Sequence, residues 1–328
     1  MEAPSTVERT LELYLAEIGK SRAASTLNTY YYTIEKFKKT LSEHGVRPAE
    51  TPLTAITNDW IHWFLDDLRL LEPTTERGYL AAVMGFYDYV VAKNWLDLNL
   101  TEMRYFVKRR QRKLPEKAQR FPKRQVERLL EGMDELANGP FKDDREQLTI
   151  FRDRALLYLL AHSGLRVSEA CSLKCGHVDW AEAELYVIGK GNKEARVRIS
   201  EQARAKLKDY LKARQELQLP PLPDFLDELP LFARHDKRAG KKILPISSRS
   251  VQQAIDKLVS RCLGEIHLRE VTPHTFRHYF VTTVLRSTGG DIEVAKKLAR
   301  HADISTTMRY AHLSEDELDQ TYHDIFRD

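Results

Sequence analysis

The 328-residue sequence contains only three cysteines, no long apolar run and a net charge of just +4. Three cysteines argue against a disulfide framework and fit a reducing compartment. No apolar stretch approaches the roughly 20 residues that a membrane-spanning helix needs. The N-terminus also lacks the basic and apolar segments of a signal peptide. These absences predict a soluble, cytoplasmic protein, and the length is enough for two domains.

One cluster could suggest a metal site. Cys171, Cys175 and His177 lie close together in the sequence. Their spacing lacks a CxxC pair, and a fourth ligand is not apparent. The sequence therefore predicts no metal site.

The small positive surplus of the chain is concentrated in one segment. Residues 1–106 contain 11 basic and 15 acidic side chains, whereas residues 107–124 contain nine basic and one acidic. Such a segment is typical of contact with nucleic-acid phosphates, although a solvated linker without a partner is the alternative. With Pro115 and Pro122 as breaks, we predict a basic interdomain linker at 107–120. Its predicted DNA-contacting residues are Lys108, Arg109, Arg110, Arg112 and Lys113.

Residues 1–106 are predicted to form a compact domain of four or five helices. Apolar and aromatic residues recur there at helical spacing in three stripes. We interpret these aromatic residues as core and not as a base-stacking surface. The stripes comprise Leu27, Tyr30, Tyr31, Ile34, Phe37 and Leu41; Trp60, Trp63, Phe64, Leu68 and Leu71; and Tyr79, Val83, Phe86 and Val90.

Residues 121–328 are predicted to form a second domain that is mainly α-helical with a small antiparallel sheet, an α+β fold. Two β-prone runs at 184–189 and 195–200 flank Lys190-Gly-Asn-Lys193, which is a β-hairpin pattern. Residues 218–229 are predicted as a loop, 230–233 as a possible short strand, and 234–246 as an exposed basic segment. Helices are predicted at 123–137, 147–162, 201–217 and 248–262, and beyond them with breaks at Pro273, at Gly289-Gly290 and near Ala302.

Several polar residues of this domain suit phosphodiester chemistry. Arg166 follows a break at Gly164, and Glu169 could orient it or cap the next helix, although a surface Arg–Glu helix pair is the plainer interpretation. Lys190 lies at the predicted hairpin turn, where it could reach a DNA groove or be an ordinary exposed lysine. A guanidinium binds phosphate oxygens in pairs and neutralises charge that develops in the transition state.

The C-terminal part adds histidines and a tyrosine. His274 and Arg277 are three residues apart, so a helix beginning near Pro273 would place them on one face. His301 precedes Tyr310 by nine residues. Cleavage by a side-chain nucleophile needs such a nucleophile together with groups that move protons.

In this order, the residues resemble the tyrosine recombinases of the phage integrase family, and the layout is closest to that of Xer-type enzymes. The segment Gly-Lys-Gly-Asn-Lys-Glu around Lys190 is a strong match. The resemblance covers both domains and is carried by residues 162–173, 187–197, 272–280 and 299–312.

The resemblance implies a role for each residue. Tyr310 would be the nucleophile that forms a 3′-phosphotyrosyl bond, and Lys190 would protonate the 5′ oxygen. Arg166, Arg277 and His301 would bind the scissile phosphate. His274 would assist as a general base or hydrogen-bond donor, Glu169 would support the site, and Lys193 would contact DNA. No metal or other cofactor is implied.

The resemblance also implies an architecture and partners. A SAM-like helical core-binding domain (1–106) and the catalytic domain (121–328) would form a C-shaped clamp on double-stranded DNA. Four protomers, with or without a related recombinase or accessory factor, would exchange strands through a Holliday junction in the nucleoid. Either chromosome-dimer resolution or integration and excision of a mobile element fits. A tail helix at 314–328 could dock on a neighbouring protomer or on its own domain.

Two features depart from the family pattern, and two other functions remain open. Arg300 precedes His301 where glycine is usual, which affects the local backbone, and the segment 218–246 is longer than a minimal Xer layout needs. A type IB topoisomerase or telomere resolvase would use the same chemistry. A cleavage-inactive, architectural DNA-binding protein would lack it, which the complete catalytic set argues against.

Overall fold

The computed structural model describes residues 3–112, 123–189, 194–217, 226–239, 242–268, 270–301 and 303–308. The chain divides into two compact units, Met1–Ala118 and Gln119–Asp328. None of the described helices is sufficiently long and apolar to span a bilayer.

The described part of the first unit contains five α-helices, which confirms the predicted number. Side-chain caps begin two of them: Thr6 accepts a hydrogen bond from the backbone N–H of Arg9, and Asn99 accepts one from that of Glu102. Pro73 begins another at the first helical position, where its missing N–H is not needed. The helices are α1 (Val7–Ser21), α2 (Ala24–Glu43), α3 (Asp59–Asp67), α4 (Pro73–Ala92) and α5 (Leu100–Arg110).

Aromatic residues form much of the core of this unit, as predicted. Phe37, Phe64 and Phe86 are fully buried, and the rings of Phe37 and Phe64 pack edge to face. Among the aromatic residues of the predicted stripes, Tyr31 is the exposed exception, because 48% of it is exposed and its ring packs on that of Tyr32. Six residues of helix place Tyr31 about 120° from Phe37 around the axis, which is the outer edge of the apolar stripe.

Helix α5 continues through Arg110, so the first four residues of the segment predicted as a linker are the last turn of a helix. Lys108, Arg109 and Arg110 lie in that turn. Basic side chains at a helix C-terminus interact favourably with the helix dipole, and this favours helix over linker there. Residues 113–122 lie outside the described residues.

Most helices of the second unit match the sequence expectations closely. Helices α6, α9 and α10 have the predicted bounds, whereas α7 begins three residues earlier than predicted, where Asp143 caps the backbone N–H of Glu146. The breaks at Pro273 and at Gly289-Gly290 separate successive helices. The described helices are α6 (Lys123–Ala137), α7 (Asp144–Ser163), α8 (Val167–Ser172), α9 (Glu201–Leu217), α10 (Ser248–Cys262), α11 (Pro273–Ser287), α12 (Ile292–Ala299) and α13 (Ile304–Met308). Helix α7 is central, because it packs against α6, α9 and α11. The predicted tail helix at 314–328 lies outside the described residues.

A three-stranded antiparallel sheet lies beside these helices, in the order β1 (Val178–Asp179), β2 (Glu184–Ile188), β3 (Glu194–Arg198). Leu185 pairs with Val197, and both side chains are buried. The predicted hairpin is thus confirmed, while the two-residue β1 was too short to predict. The possible strand at 230–233 does not form; its ends make only isolated bridges, Lys174 with Pro230 and Ala233 with Pro245. Each bridge contains a proline, which lacks the N–H that a ladder needs.

The segment 234–246 is less exposed than its basic composition predicts. His235 is buried, and its Nε2 lies 3.0 Å from the hydroxyl of Tyr210. That hydroxyl also accepts a hydrogen bond from the backbone N–H of Ala233. Burial, followed by the nearby charge of Arg152, lowers the pKa of His235 to about 3, so the neutral ring packs as part of the core.

Candidate active site

Arg166 occupies the short connection between α7 and α8. Helix α7 ends at Ser163, and Gly164 follows in the left-handed conformation with φ of 61°. This turn places Arg166 at the first position before α8, where 46% of its side chain is exposed. The predicted break at Gly164 is confirmed, and it leaves the guanidinium accessible.

Gly164 is required there for a second reason. A Cβ atom at this position would lie 2.4 Å from Cδ1 of Phe280, a residue of α11. The ring and the backbone of the connection thus pack in direct contact. Both the positive φ and this close approach exclude larger residues.

Glu169 holds Arg166 by two hydrogen bonds. Its Oε2 accepts from the backbone N–H of Arg166 at 2.9 Å, and its Oε1 accepts from Nη1 of Arg166, also at 2.9 Å. Burial acts to raise the pKa of this carboxyl, but hydrogen bonds from Arg166 and Arg300 outweigh it and hold the pKa below its usual range. Glu169 is therefore an ionised, 5% exposed anchor for the arginine.

Arg277 is buried and joins two helix ends. Its Nη1 donates to the carbonyl oxygen of Gly164 after α7, and its Nη2 donates to that of Ala299 at the end of α12. Carbonyl groups at a helix C-terminus lack partners within the helix and carry partial negative charge. One guanidinium, 3% exposed, thus caps two helices.

His274 lies one turn before Arg277 on α11, as the spacing predicted. Burial lowers its pKa, and the charges of Arg277 and Arg166 lower it further. Its ring is therefore neutral near pH 7. Arg277, one turn along α11, donates to the carbonyl oxygen of Gly164, two residues before Arg166, so the three side chains lie at one site.

His301 completes this group. It is buried, and its Nδ1 lies 2.8 Å from Oγ1 of Thr307. Burial lowers its pKa to about 4, with further contributions from the charges of Arg277 and Arg166 and from His274. The structure therefore brings together four predicted site residues: two cations and two neutral imidazoles. Such a cluster suits a phosphate anion, because guanidinium groups neutralise its charge and neutral imidazoles can exchange protons.

The part of the sequence that contains this cluster matches a known protein family. The family model named "Phage integrase family" matches residues 119–317, which include all four of these residues. The chain belongs to the phage integrase family.

Relatives extend the similarity beyond the catalytic unit. The tyrosine recombinase XerC of Thermodesulfovibrio yellowstonii is 32% identical over 93% of this chain and 91% of its own length. The XerC protein of Bacillus subtilis is 27% identical over the same shares. The phage integrase family member described here is thus a Xer-like tyrosine recombinase, a site-specific recombinase enzyme.

Solved structures share its fold. The XerH site-specific recombinase bound to palindromic difH substrate, in a post-cleavage complex, has a TM-score of 0.67 at 17% identity. That match covers 97% of this chain and 83% of XerH. The Tn1549 transposon integrase in complex with transposon right end DNA has a TM-score of 0.66 at 15% identity, covering 97% of this chain and 99% of the integrase.

Other predicted site residues of the recombinase lie outside the described residues. Tyr310 comes two residues after the last described position, and Lys190 and Lys193 fall between β2 and β3 in the sequence. Lys113 begins the next undescribed segment after Arg112. Their assigned roles remain predictions.

The predicted DNA contacts at the end of α5 differ from one another. Lys108 and Arg109 are exposed. Arg110 pairs with Asp66, and Arg112 donates from Nε to Oε2 of Glu76 at 2.6 Å. Glu76 is itself buried, and Arg112 also donates from Nη2 to the carbonyl oxygen of Leu71. Arg110 and Arg112 therefore have structural partners within their own unit.

Sequence reasoning missed two contacts at the site. Thr307 positions His301, but nothing distinguished this threonine from its neighbours. Arg300 was noted only because glycine was expected there; it adopts the left-handed conformation, with φ of 56°, and its Nη2 donates to Oε2 of Glu169 at 2.8 Å. Cys171 and Cys175 are free thiols, and the described residues contain no group of three or more His, Cys, Asp or Glu that could hold a metal.

Proposed function

We propose that this recombinase cleaves and rejoins DNA at specific sites through a covalent bond to Tyr310. The phenolic oxygen of Tyr310 attacks the scissile phosphorus, and the bond from phosphorus to the 5′ oxygen breaks. Lys190 supplies the proton that the departing 5′ oxygen takes up. The product is a 3′-phosphotyrosyl bond and a free 5′-hydroxyl, so the reverse reaction can rejoin a strand without a cofactor.

The observation that supports this proposal is the cluster of Arg166, Arg277, His274 and His301. Attack on a phosphodiester places extra negative charge on the nonbridging oxygens, and preorganised cationic donors stabilise that charge. Arg166 is the exposed member and the principal phosphate ligand. Arg277 adds its charge from the buried side, together with the N–H of His301.

The neutral histidines support a role in proton transfer. At neutral pH, the lowered pKa of His274 leaves a ring that can accept the proton of Tyr310. A bound phosphate would raise that pKa, because its negative charge favours the protonated ring. DNA binding would thus make His274 a stronger base at the moment it is needed.

The partners follow from the same proposal. The two units would serve as the core-binding and catalytic domains, and both would bind double-stranded DNA. Lys108, Arg109, Lys113 and Lys193 would contact phosphates. Four protomers would hold two sites and exchange strands in two steps through a Holliday junction, in the cytoplasm on the nucleoid. The relatives named XerC and the DNA complexes of XerH and the Tn1549 integrase support this assignment.

Covalent capture tests the proposal. The wild-type protein and Tyr310→Phe are incubated with fragmented DNA of the source organism and denatured in detergent, and the attached DNA is sequenced. We expect an adduct with the wild type and none with Tyr310→Phe, and we expect it to be enriched at one site with inverted half-sites. Tyr186, which is exposed on β2, provides the matched control Tyr186→Phe, which should form the adduct.

Adduct formation without Tyr310 would assign the nucleophile elsewhere. Tight DNA binding with no adduct from the wild type would overturn the cleavage proposal in favour of an architectural protein. Synthetic four-way junctions built from the captured site then separate the enzymes, because a recombinase resolves them, whereas a topoisomerase relaxes supercoiled DNA without exchanging partners.

A further inference from the structure

Arg300 has a backbone conformation that arginine rarely adopts. It ends α12 with φ of 56° and ψ of 45°, in the left-handed region. Among the described residues, the other non-glycine positions with positive φ are Asn94 and Ala183. The left-handed conformation crowds a Cβ atom against the backbone, and glycine avoids this. A strained residue at a functional site suggests that its side chain provides something glycine cannot.

The side chain of Arg300 reaches Glu169, which is 131 residues away in the sequence. Nη2 of Arg300 donates to Oε2 at 2.8 Å, and only 17% of its side chain is exposed. The same Oε2 accepts the backbone N–H of Arg166, and Oε1 accepts Nη1 of Arg166. The carboxylate thus lies between two guanidinium groups, with both oxygens in use.

We propose that Arg300 is a positioning residue, which fixes Glu169 and through it the phosphate-binding guanidinium of Arg166. This inference rests on the proposed function, since it assigns Arg166 to the scissile phosphate. Arg166 holds Oε1 through its guanidinium and Oε2 through its backbone N–H, so without Arg300 the carboxylate could shift together with the Arg166 segment. Arg300 adds a second hydrogen bond to Oε2 from a distant part of the chain and restricts that shift.

Charge sharing supports the same role. One carboxylate facing a single guanidinium would neutralise it, whereas one carboxylate between Arg166 and Arg300 leaves a net positive charge. That charge remains for the phosphate at Arg166, which is the more exposed of the two arginines.

Arg300 also precedes His301 directly, and Ala299 before it is held by Arg277. The short connection after α12 is therefore anchored on one side by Arg277 and on the other by Glu169. Loss of the Arg300–Glu169 hydrogen bond would therefore change the position of Arg166 most and that of His301 less.

The test is a double-mutant cycle on a nicked duplex that carries the captured site, so that the cleaved strand leaves and the adduct accumulates. The variants are Arg300→Asn, Glu169→Gln, and both together. Asparagine tolerates the left-handed conformation, but it is too short to reach Glu169. Single-turnover adduct formation is measured at saturating protein, alongside DNA affinity and thermal stability.

We expect Arg300→Asn to slow adduct formation by about ten-fold, because small displacements of a catalytic donor have effects of that order. DNA affinity should stay within about two-fold, since few phosphate contacts are lost. Arg300→Lys, which keeps a charge near Glu169, should recover part of the rate. Because Arg300 acts through Glu169, the double variant should be no slower than Glu169→Gln.

A control variant on the same helix is Lys297→Asn, which removes one charge from the exposed pair with Glu293 and should keep the wild-type rate. A wild-type rate in Arg300→Asn would overturn the inference. So would a ten-fold effect that persists in the Glu169→Gln background, or a slowed rate matched by a loss of stability. Absence of any Tyr310-dependent adduct from the wild type would instead refute the proposed function, and this inference with it.

Discussion

The guanidinium of Arg277 donates a hydrogen bond to the carbonyl oxygen of Gly164, the residue that follows the last residue of α7. Gly164 lies two residues before Arg166, and the second acceptor of Arg277, Ala299, lies two residues before His301. A buried arginine thereby sets the distance between the two connections that carry these site residues. Arg166 is exposed by comparison. We therefore expect Arg277 to have the larger structural role and Arg166 the larger role in binding phosphate.

This difference predicts stability effects of different size for the same substitution at the two arginines. Arg277→Lys keeps the charge but cannot reach both carbonyls, so we expect the free energy of unfolding to fall by about 1–3 kcal/mol. Arg166→Lys, at an exposed site, should change it by less than about 1 kcal/mol. Both should slow adduct formation by about 100-fold or more, since each replaces a preorganised guanidinium that stabilises the phosphate charge with a flexible ammonium group. Urea denaturation and single-turnover cleavage measure the two effects.

Equal stability of Arg277→Lys and the wild type would contradict the double-cap role of Arg277. An equally large destabilisation in both variants would show that Arg166 is structural as well.

Local signals explain how much of this fold could be predicted. Helix α10 begins at Ser248, where Ser247 caps the backbone N–H of Ser250, and α11 begins at Pro273; both signals lie within a few residues. The hairpin is set by alternation on β2 and β3. The burial of His235 could not be predicted, because it depends on Tyr210, 25 residues earlier.

In the candidate site, too, local patterns were predictable and contacts between distant residues were not. The spacing of His274 and Arg277 was enough to place both on one helical face, and Gly164 indicated the break before Arg166. The Arg300–Glu169 contact was not predictable, because it joins two side chains that are 131 residues apart in the sequence. Sequence order identified the residues of the cluster, whereas the hydrogen bonds that orient them arise from long-range contacts.

Gly164 provides a prediction about the catalytic unit. Gly164→Ala must accept a left-handed backbone, which costs about 1–2 kcal/mol, and a clash with the ring of Phe280, which adds about 1–3 kcal/mol. The matched control is Gly289→Ala, whose φ of 63° is nearly the same but whose Cβ would meet nothing within 4 Å. It should show the backbone cost alone.

Thermal and urea denaturation measure the difference between the two alanine variants. The double variant Gly164→Ala with Phe280→Leu should regain part of the free energy of unfolding that the clash removes. Equal losses at Gly164 and Gly289 would mean that the contact with Phe280 is soft and that only the backbone requires glycine.

His301 predicts a pH dependence of stability. Its pKa is about 4 in the folded protein and about 6.5 in an unfolded chain. Between these values the unfolded state binds more protons, so stability falls as the pH drops from about 6.5 to about 4. In His301→Gln this contribution is absent, so the stability advantage of the wild type over the variant should shrink across that window and be constant above it.

The measurement is the free energy of unfolding from urea curves at several pH values, for the wild type and His301→Gln. A difference that is independent of pH would show that His301 titrates alike in both states. A wild-type advantage that grows toward pH 4 would mean that the folded protein stabilises the imidazolium form.

Arg112 and Glu76 give a prediction for the first unit. Glu76 on α4 is 2% exposed and accepts hydrogen bonds from the backbone N–H and Nε of Arg112. Glu76→Gln keeps the shape but faces these donors with an amide, so we expect a loss of about 1–3 kcal/mol in the free energy of unfolding. The matched control is Asp88→Asn in the exposed pair with Arg104, which should lose less than about 1 kcal/mol.

DNA binding separates this structural role of Arg112 from a phosphate contact. Lys108→Gln should leave stability unchanged and reduce the slope of log affinity against log salt by about one, as expected for one lost phosphate contact. Arg112→Gln should instead lower stability, because it leaves the buried carboxylate of Glu76 without its partner. A reduced salt slope with unchanged stability in Arg112→Gln would assign this arginine to DNA, because a residue that anchors the end of α5 to α4 cannot be removed without weakening that contact.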